Sequence, residues 1–337
     1  MRKIIITGGA GFIGHHIVEH FLKNSDDQIY ILDKLSYSSS GFDRLRDIEV
    51  FDKMRDRVTV FTLDLSRPIP IGVMNEIDDA THVLHLAAES HVDNSIIDPV
   101  PFVISNVLGT AYAMEMAKHL DDLELFVYFS TDEVFGPAPD NYAFKEWDRY
   151  KSSNPYAAAK AGGEEMVIAY HNTYKLPAII THCMNVIGER QHQEKFIPIC
   201  IRKTFLEETI TIHSHPDKQR AGSRFYIHAR NVANAVSFLM NQYKLGNINT
   251  GDKFNIVGEK ELDNLQVAQL VASFVGKRLN YEMLDFHSAR PGHDLRYALD
   301  GSKMAKLGWA PEVSIEDSLE RITHWSLQPK HQHWVGL

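Results

Sequence analysis

Lys3-Ile4-Ile5-Ile6-Thr7-Gly8-Gly9-Ala10-Gly11-Phe12-Ile13-Gly14 stands at the start of the chain and decides how the rest is read. A short β-branched run suited to a buried strand gives way to glycines three and three apart. The spacing of Phe12, Ile17, Phe21 and Leu22 then sets one face of a helix. Glycines in such a turn let the backbone bend sharply and come close to a ligand, and the free N–H groups at the helix start favour a pyrophosphate. A glycine pattern alone would mean only a tight turn. With a strand before it and a helix after it, the pattern reads as a dinucleotide site, with Gly8, Gly11, Phe12, Ile13 and Gly14 against the ligand. Asp33, 19 residues beyond Gly14 at the end of the next apolar run, stands where an acceptor for the adenosine ribose hydroxyls belongs. Its carboxylate would repel a 2′-phosphate, so NAD is expected, although Lys34 beside it keeps an NADP reading open. Asp64, with Leu65, is expected near the adenine, and Ala87 and Ala88 at the end of a further strand complete the cofactor set.

Working outward, strands are expected at 3–7, 28–33, 58–64, 82–87, 123–131 and 178–183, separated by helix-like stretches. That alternation implies parallel strands joined by crossover helices, hence an α/β fold with a Rossmann-type doubly wound parallel sheet. Val103, Val107, Ala111 and Met114 are spaced for a second helix face. Beyond about residue 185 the rhythm loosens, with Pro198, Pro216, Pro291 and Pro311 as breakers and isolated strands at 225–228 and 253–257. The expected organisation is an NAD-binding domain over 1–185 that includes the Tyr/Lys helix, a smaller mixed α/β substrate-binding lobe over 186–330 interleaved with it, and a tail at 331–337. No linker composition, repeat or low-complexity tract marks a sharper boundary.

The 337 residues, 44% apolar and 23% charged, suit a soluble globular protein. A net charge of -9 argues against wrapping nucleic acid, because phosphate neutralisation needs clustered excess Lys and Arg. Only two cysteines occur, Cys183 and Cys200, without paired spacing, so neither a disulfide framework nor a thiolate metal site is expected. No signal-peptide core or membrane-length apolar run is visible, and a cytoplasmic location is expected. The 18 histidines include close pairs at His15-His16, His213-x-His215 and His331-x-His333, none with a third ligand at metal spacing. They read as surface or helix-cap residues, with no metal.

Tyr156 and Lys160 lie four apart in Asn154-Pro155-Tyr156-Ala157-Ala158-Ala159-Lys160, on one face of an expected helix. An ammonium near a phenol favours the phenolate, so Tyr156 is expected to act as a base. Ser130-Thr131-Asp132-Glu133 ends the fifth strand at the sheet edge where ligands bind in doubly wound folds. A hydroxyl and two adjacent carboxyls there can divide acid and base roles between them.

These motifs, together with His85-Leu86-Ala87-Ala88-Glu89-Ser90-His91-Val92-Asp93, Glu194-Lys195-Phe196-Ile197-Pro198 and Arg290-Pro291-Gly292-His293-Asp294, resemble the extended short-chain dehydrogenase/reductases. Among those the chain is similar to the nucleoside-diphosphate-sugar 4,6-dehydratases, the dTDP-glucose enzymes above all, and the Thr131-Asp132-Glu133 triplet is the most specific part. The resemblance implies a nucleoside-diphosphate hexose as substrate and NAD recycled in place. Tyr156 would take the 4-hydroxyl proton beside Thr131, Glu133 the C5 hydrogen, and Asp132 would protonate the departing C6 hydroxyl. Lys160 would hold the nicotinamide ribose. Asn185, Lys195, Arg224 and Arg290 would meet the pyrophosphate, and Ser90, Glu194 and His293 would line the rest of the substrate site. A homodimer through a four-helix bundle, built from 106–119 and 155–174 of each copy, is implied as well. Met184 to Glu189, the segment 216–223 and Asn231 depart from the family pattern, with Glu189 adding negative charge, and these departures bear on the nucleoside base and the hexose. Two other enzymes of the same fold, a nucleotide-sugar 4-epimerase and a 5,6-dehydratase, stay open at this point. So does an NAD-binding scaffold without activity.

Overall fold

Ile4 and Ile6 face one side of their strand and Ile5 the other, and each side is buried by a different set of helices. The computed structural model describes residues 1–36, 40–285 and 295–337. Its strands are β1 Lys3–Thr7, β2 Gln28–Asp33, β3 Val58–Thr62, β4 His82–His85, β5 Leu125–Thr131, β6 Ala178–Cys183, β7 Val186–Ile187, β8 Ile210–Ser214, β9 Ser223–Phe225, β10 Ile227–His228, β11 Lys253–Ile256, β12 Glu261–Asp263 and β13 Tyr281–Asp285. A seven-stranded sheet runs in the order β11-β6-β5-β4-β1-β2-β3, parallel throughout. The order reverses direction between β1 and β4, and in such sheets that crevice is where ligands bind.

On the Ile4/Ile6 side, α1 (Phe12–Asn24) contributes Ile17, Phe21 and Leu22, and a later helix, Ala229–Lys244, contributes Val232, Val236 and Leu239. On the Ile5 side, Gly109–Lys118 and the long helix Pro155–Tyr174 supply Ala113, Met114, Ala117 and Val167. A separate core forms under the second half of the chain, where Ile201, Ile212, Val271, Leu319 and Ile322 pack together.

Several expected boundaries move. The fourth strand stops at His85 because the N–H groups of Leu86 and Ala87 turn to the Thr7 hydroxyl, both at 3.1 Å. The expected strand 225–228 splits in two: β9 pairs antiparallel with β12, whereas β10 pairs parallel with β7. β11 enters the large sheet beside β6, so the chain beyond 185 completes the layer that the first half begins. The expected tail is also not loose: Trp334 and Val335 are 8% and 2% exposed, and His331 stacks on Trp325. Apolar burial there outweighs the polar composition of its neighbours.

The helix expected around 106–119 begins earlier and carries a π turn, as Val100–Val103, Ile104–Leu108 and Gly109–Lys118 in succession. Phe102, Asn106, Gly109, Thr110, Ala113, Met114, Met116 and Ala117 are its buried residues, while Val103 is half exposed and Val107 and Ala111 are only partly covered. The extra residue of a π turn rotates the apolar spacing off the face read from period alone.

Candidate active site

The glycine turn is built as a cradle. Gly8 takes φ +69°, and a Cβ there would lie 2.9 Å from the Ala87 backbone; a Cβ on Gly14 would come within 2.2 Å of the Gly8 carbonyl oxygen. α1 starts at Gly11 with no side-chain cap and no acidic residue in its first turn, so its leading N–H groups are left for a ligand. Gly8, Gly11, Phe12, Ile13, Gly14, Asp33, Lys34, Asp64, Leu65, Ala87, Ala88, Tyr156 and Lys160, the whole expected cofactor set, line one cavity of about 270 Å³ at the switch between β1 and β4.

Asp33 is anchored at its far end: one oxygen accepts from Ala10 N–H at 3.0 Å, the other from Leu35 N–H at 2.8 Å. Burial nonetheless pushes its carboxyl above the usual range. Lys34 turns to an ion pair with Glu89. Burial works against the Asp64 carboxylate, but the Ser66 N–H and hydroxyl hold it below the usual range. Ser130, at the end of β5, lines the same cavity with a buried hydroxyl that has no partner. A cradle that only glycine fits, a capless helix start and an unpaired hydroxyl at the opposite end together fit a bound dinucleotide.

Thr131, Asp132 and Glu133 follow at the same edge. Asp132 is 5% exposed; one oxygen accepts from the Thr131 hydroxyl at 3.0 Å and the other has no partner. Burial, reinforced by the Glu133 charge, lifts its carboxyl to about 7, so it carries a proton at neutral pH for much of the time. Glu133 has another tie: its backbone N–H donates to Thr131 Oγ1 at 3.3 Å and its carboxylate accepts from Asn154 Nδ2 at 2.9 Å. Two neighbouring carboxyls thus sit in unlike surroundings, the condition for dividing acid from base.

The Tyr156 hydroxyl lies near Thr131, and its backbone N–H donates to Ser95 Oγ at 3.1 Å. Its electrostatics run against the expectation of a lysine-activated phenolate. Burial first, then the charges of Glu133 and Asp132, push the phenol up. Lys160 instead donates to the Phe129 carbonyl at 2.6 Å and sits over the Tyr128 ring, and burial brings its ammonium down to about 7. The helical spacing places the two residues on one face without making them an ion pair.

Of the expected substrate residues, Ser90, Glu194 and Lys195 line the cavity, with Glu194 3.3 Å from His192 and 3.6 Å from His91. Asn185 is exposed and does not line it. Arg224 is not among the lining residues; it donates to the carbonyls of Ser223 (2.7 Å) and Leu295 (2.6 Å) and stacks on Tyr297, and its charge reaches Asp132. Arg290 and His293 lie outside the described residues.

Three readings need correction. Glu189 adds no charge to the substrate site: it is 1% exposed and held by His228 (3.1 Å), Arg230 (3.1 Å) and Arg321 (3.2 Å). Asn231 fastens the backbone of Val313, with its amide donating to the carbonyl at 2.9 Å and accepting from the N–H at 3.3 Å. His15 and His16 are not surface residues but 0% and 1% exposed, and burial holds both imidazoles well below their ordinary value. Among the described residues no group of three His, Cys, Asp or Glu is placed to hold a metal.

Sequence reading missed Arg44, Cys183, Ser130 and Asn154. Arg44 and Cys183 line the cavity from elements whose local pattern gives no hint of it. Asn154 did leave a signal, since Asn before Pro-Tyr at a helix start is a capping arrangement.

The GDP-mannose 4,6 dehydratase family model matches residues 5–322. A low-salt glycan biosynthesis protein of Haloferax volcanii is 36% identical over 96% of this chain and 98% of its own length. The dTDP-glucose 4,6-dehydratase of Salmonella typhimurium is 34% identical over 99% and 94%. Among solved structures, the dTDP-glucose 4,6-dehydratase of Streptomyces venezuelae with NAD bound superposes with a TM-score of 0.84 at 30% identity, covering 98% of both chains. By family model, full-length relatives and fold alike, the chain belongs to the GDP-mannose 4,6 dehydratase family within the extended short-chain dehydrogenase/reductases.

Proposed function

We propose that this chain is an NAD-dependent hydro-lyase that converts a nucleoside-diphosphate hexose to its 4-keto-6-deoxy product. One observation carries the reading: a buried, protonatable Asp132 and a tethered Glu133 stand side by side next to Tyr156. A 4-epimerase needs the phenol but has no use for two carboxyls in unlike surroundings. The relatives named for dTDP-glucose 4,6-dehydration support the same conclusion.

NAD, when bound in the glycine cradle, supplies the hydride acceptor at C4 and the donor at C6. Gly8, Gly11, Phe12, Ile13 and Gly14 hold its pyrophosphate, Asp33 and Asp64 its adenosine end, and Lys160 with Ser130 the opposite end. Tyr156 Oη, near Thr131, accepts the proton of the 4-hydroxyl as C4 is oxidised. The 4-ketone acidifies the C5 hydrogen, which Glu133 removes as the base and returns to C5 when C6 receives its hydride. Asp132, kept protonated by its surroundings, donates to the departing C6 hydroxyl so that water leaves. Lys195, Arg224 and Arg290 serve the pyrophosphate of the substrate, and Ser90, Glu194 and His293 its sugar side.

A homodimer is part of the proposal. Ile97 (83%), Val100 (59%), Val103 (51%), Ile104 (43%) and Leu108 (42%) leave an apolar stripe exposed outside the helix pair, more than a lone surface helix ordinarily shows. Light scattering at twice the chain mass, reduced to the single mass by Val103→Glu, is the expected result.

Purified protein incubated with dTDP-, UDP-, CDP- and GDP-glucose in turn, followed by mass spectrometry, tests the main reading. Loss of one water from one of them supports it. A 4-epimer, or no product with any of the four, overturns it.

A further inference from the structure

Asn154 has two jobs at one side chain. Its Oδ1 accepts from the Ala157 N–H at 2.8 Å and so caps the helix Pro155–Tyr174, while its Nδ2 donates to Glu133 Oε2 at 2.9 Å. The two partners fix the orientation of the amide, since an N–H requires the oxygen and a carboxylate requires the NH₂. Asn154 is 6% exposed, so its side of both bonds is shielded from bulk water.

The surrounding backbone is stitched independently. Lys151 N–H donates to the Val134 carbonyl at 3.0 Å, and Ser152 Oγ to the same oxygen at 3.3 Å. Gly136, at φ +76°, lies so close that a Cβ there would come within 2.2 Å of the Lys151 oxygen. The segment before the helix would therefore stay in place without the amide. What the amide adds is a restraint on the rotamer of a flexible glutamate and a hydrogen bond to its charged form.

We propose that Asn154 is a positioning residue for the elimination step: it clamps the Glu133 carboxylate to the start of the helix that carries Tyr156, so that base and phenol move as one unit. The inference rests on the base role proposed for Glu133. Ser and Asp cap helices about as well as Asn, so replacing Asn154 by either keeps the helix start while removing the donor. Asp also sets a like charge against Glu133.

The test uses the full-length enzyme with bound NAD and whichever nucleotide-glucose it turns over. In Asn154→Ser, kcat for water loss falls about 10- to 100-fold with KM little changed. Absorbance of reduced cofactor builds up on mixing, because C4 oxidation outruns elimination. In Asn154→Asp the acid limb of the kcat profile also moves upward by about one pH unit, the effect of a neighbouring carboxylate. Wild-type kcat in both variants overturns the inference, and so does a fall in kcat without accumulation of reduced cofactor, which would make Asn154 only a support for the Tyr156 helix. Glu133→Gln, run alongside, separates the two claims. If that variant eliminates water normally, the base role itself is lost; if it does not, and Asn154→Ser is normal, only the clamp is.

Discussion

Two buried carboxyls, one just past the end of β5 and one on the helix Pro155–Tyr174, differ in how completely they are paired, and the difference separates chemistry from architecture. Asp132, just past the end of β5, has an oxygen without a partner, and its carboxyl is raised to about 7 by burial and by Glu133. Glu164, on the helix Pro155–Tyr174, is 0% exposed and fully engaged: Lys253 donates to it at 2.7 Å, His182 lies 3.2 Å away, and Tyr150 donates as well. Burial alone would raise Glu164, yet His182 and Lys253 hold it below the usual range. A buried charge that is completely paired serves the fold. One left incomplete carries a cost in stability that function explains.

The largest effects belong to the incomplete side. Glu133→Gln lowers kcat about 10²- to 10⁴-fold, the usual scale for losing a general base, while reduced cofactor still forms when substrate is added. Tyr156→Phe loses both, because the phenol acts before the ketone exists. Rapid mixing at the absorbance of reduced nicotinamide distinguishes the two variants. If Tyr156→Phe still forms reduced cofactor at the normal rate, Tyr156 is not the group that serves the 4-hydroxyl.

On the complete side, Glu164→Gln strands the Lys253 ammonium, which is 3% exposed, and costs about 3–5 kcal/mol, read as a lower denaturant midpoint. Activity per folded molecule stays near normal. The depressed Glu164 carboxyl adds stability above its unfolded value of about 4.3, lost as pH falls through its folded value, so the gap between wild type and variant narrows in acid.

Asp132→Asn should show the reverse sign. A carboxyl raised to about 7 in the fold and about 3.9 unfolded destabilises progressively as pH rises across that interval. The variant is therefore more stable than wild type by about 2–4 kcal/mol at pH 8, with the advantage vanishing toward pH 4, while elimination slows for want of a proton donor. Unfolding curves at the two pH values decide it. An advantage independent of pH would mean that Asp132 is not held protonated by its site.

The same distinction explains what could be read in advance. The glycine turn, the apolar run Ile4-Ile5-Ile6 and the four-residue interval from Tyr156 to Lys160 are local patterns, and they located the first strand, the cradle and the helix that carries Tyr156. Partnership is not local. Glu189 looked like added charge near the substrate because nothing beside it in the chain announces His228, Arg230 or Arg321. Lys160 looked like the partner of Tyr156, yet the Phe129 carbonyl holds it. Arg44 reaches the cavity near Asp33 although no spacing ties the two together. Asn154 stood in plain view as a cap, but its second bond depends on where β5 ends.

Lys34 gives the smallest and most delicate test, because it lies between the two classes. It borders the cavity and is paired with Glu89, but 39% of its side chain remains exposed. An exposed pair is worth about 0–1 kcal/mol and is weakened by salt, so Lys34→Ala barely moves the denaturant midpoint. The question is whether its charge is available to a ligand. With Glu89 already neutralising it, Lys34 has little left for a 2′-phosphate, and the preference for NAD over NADP is expected to change less than about threefold in Lys34→Ala. Asp33→Asn, which removes the repelling carboxylate itself, relaxes the preference by more. Titrating both variants with each dinucleotide gives the ratio directly. A tenfold loss of NADP binding in Lys34→Ala would show that the pair with Glu89 opens for the phosphate, and that exposure, more than pairing, governs what a charge at this cavity can do.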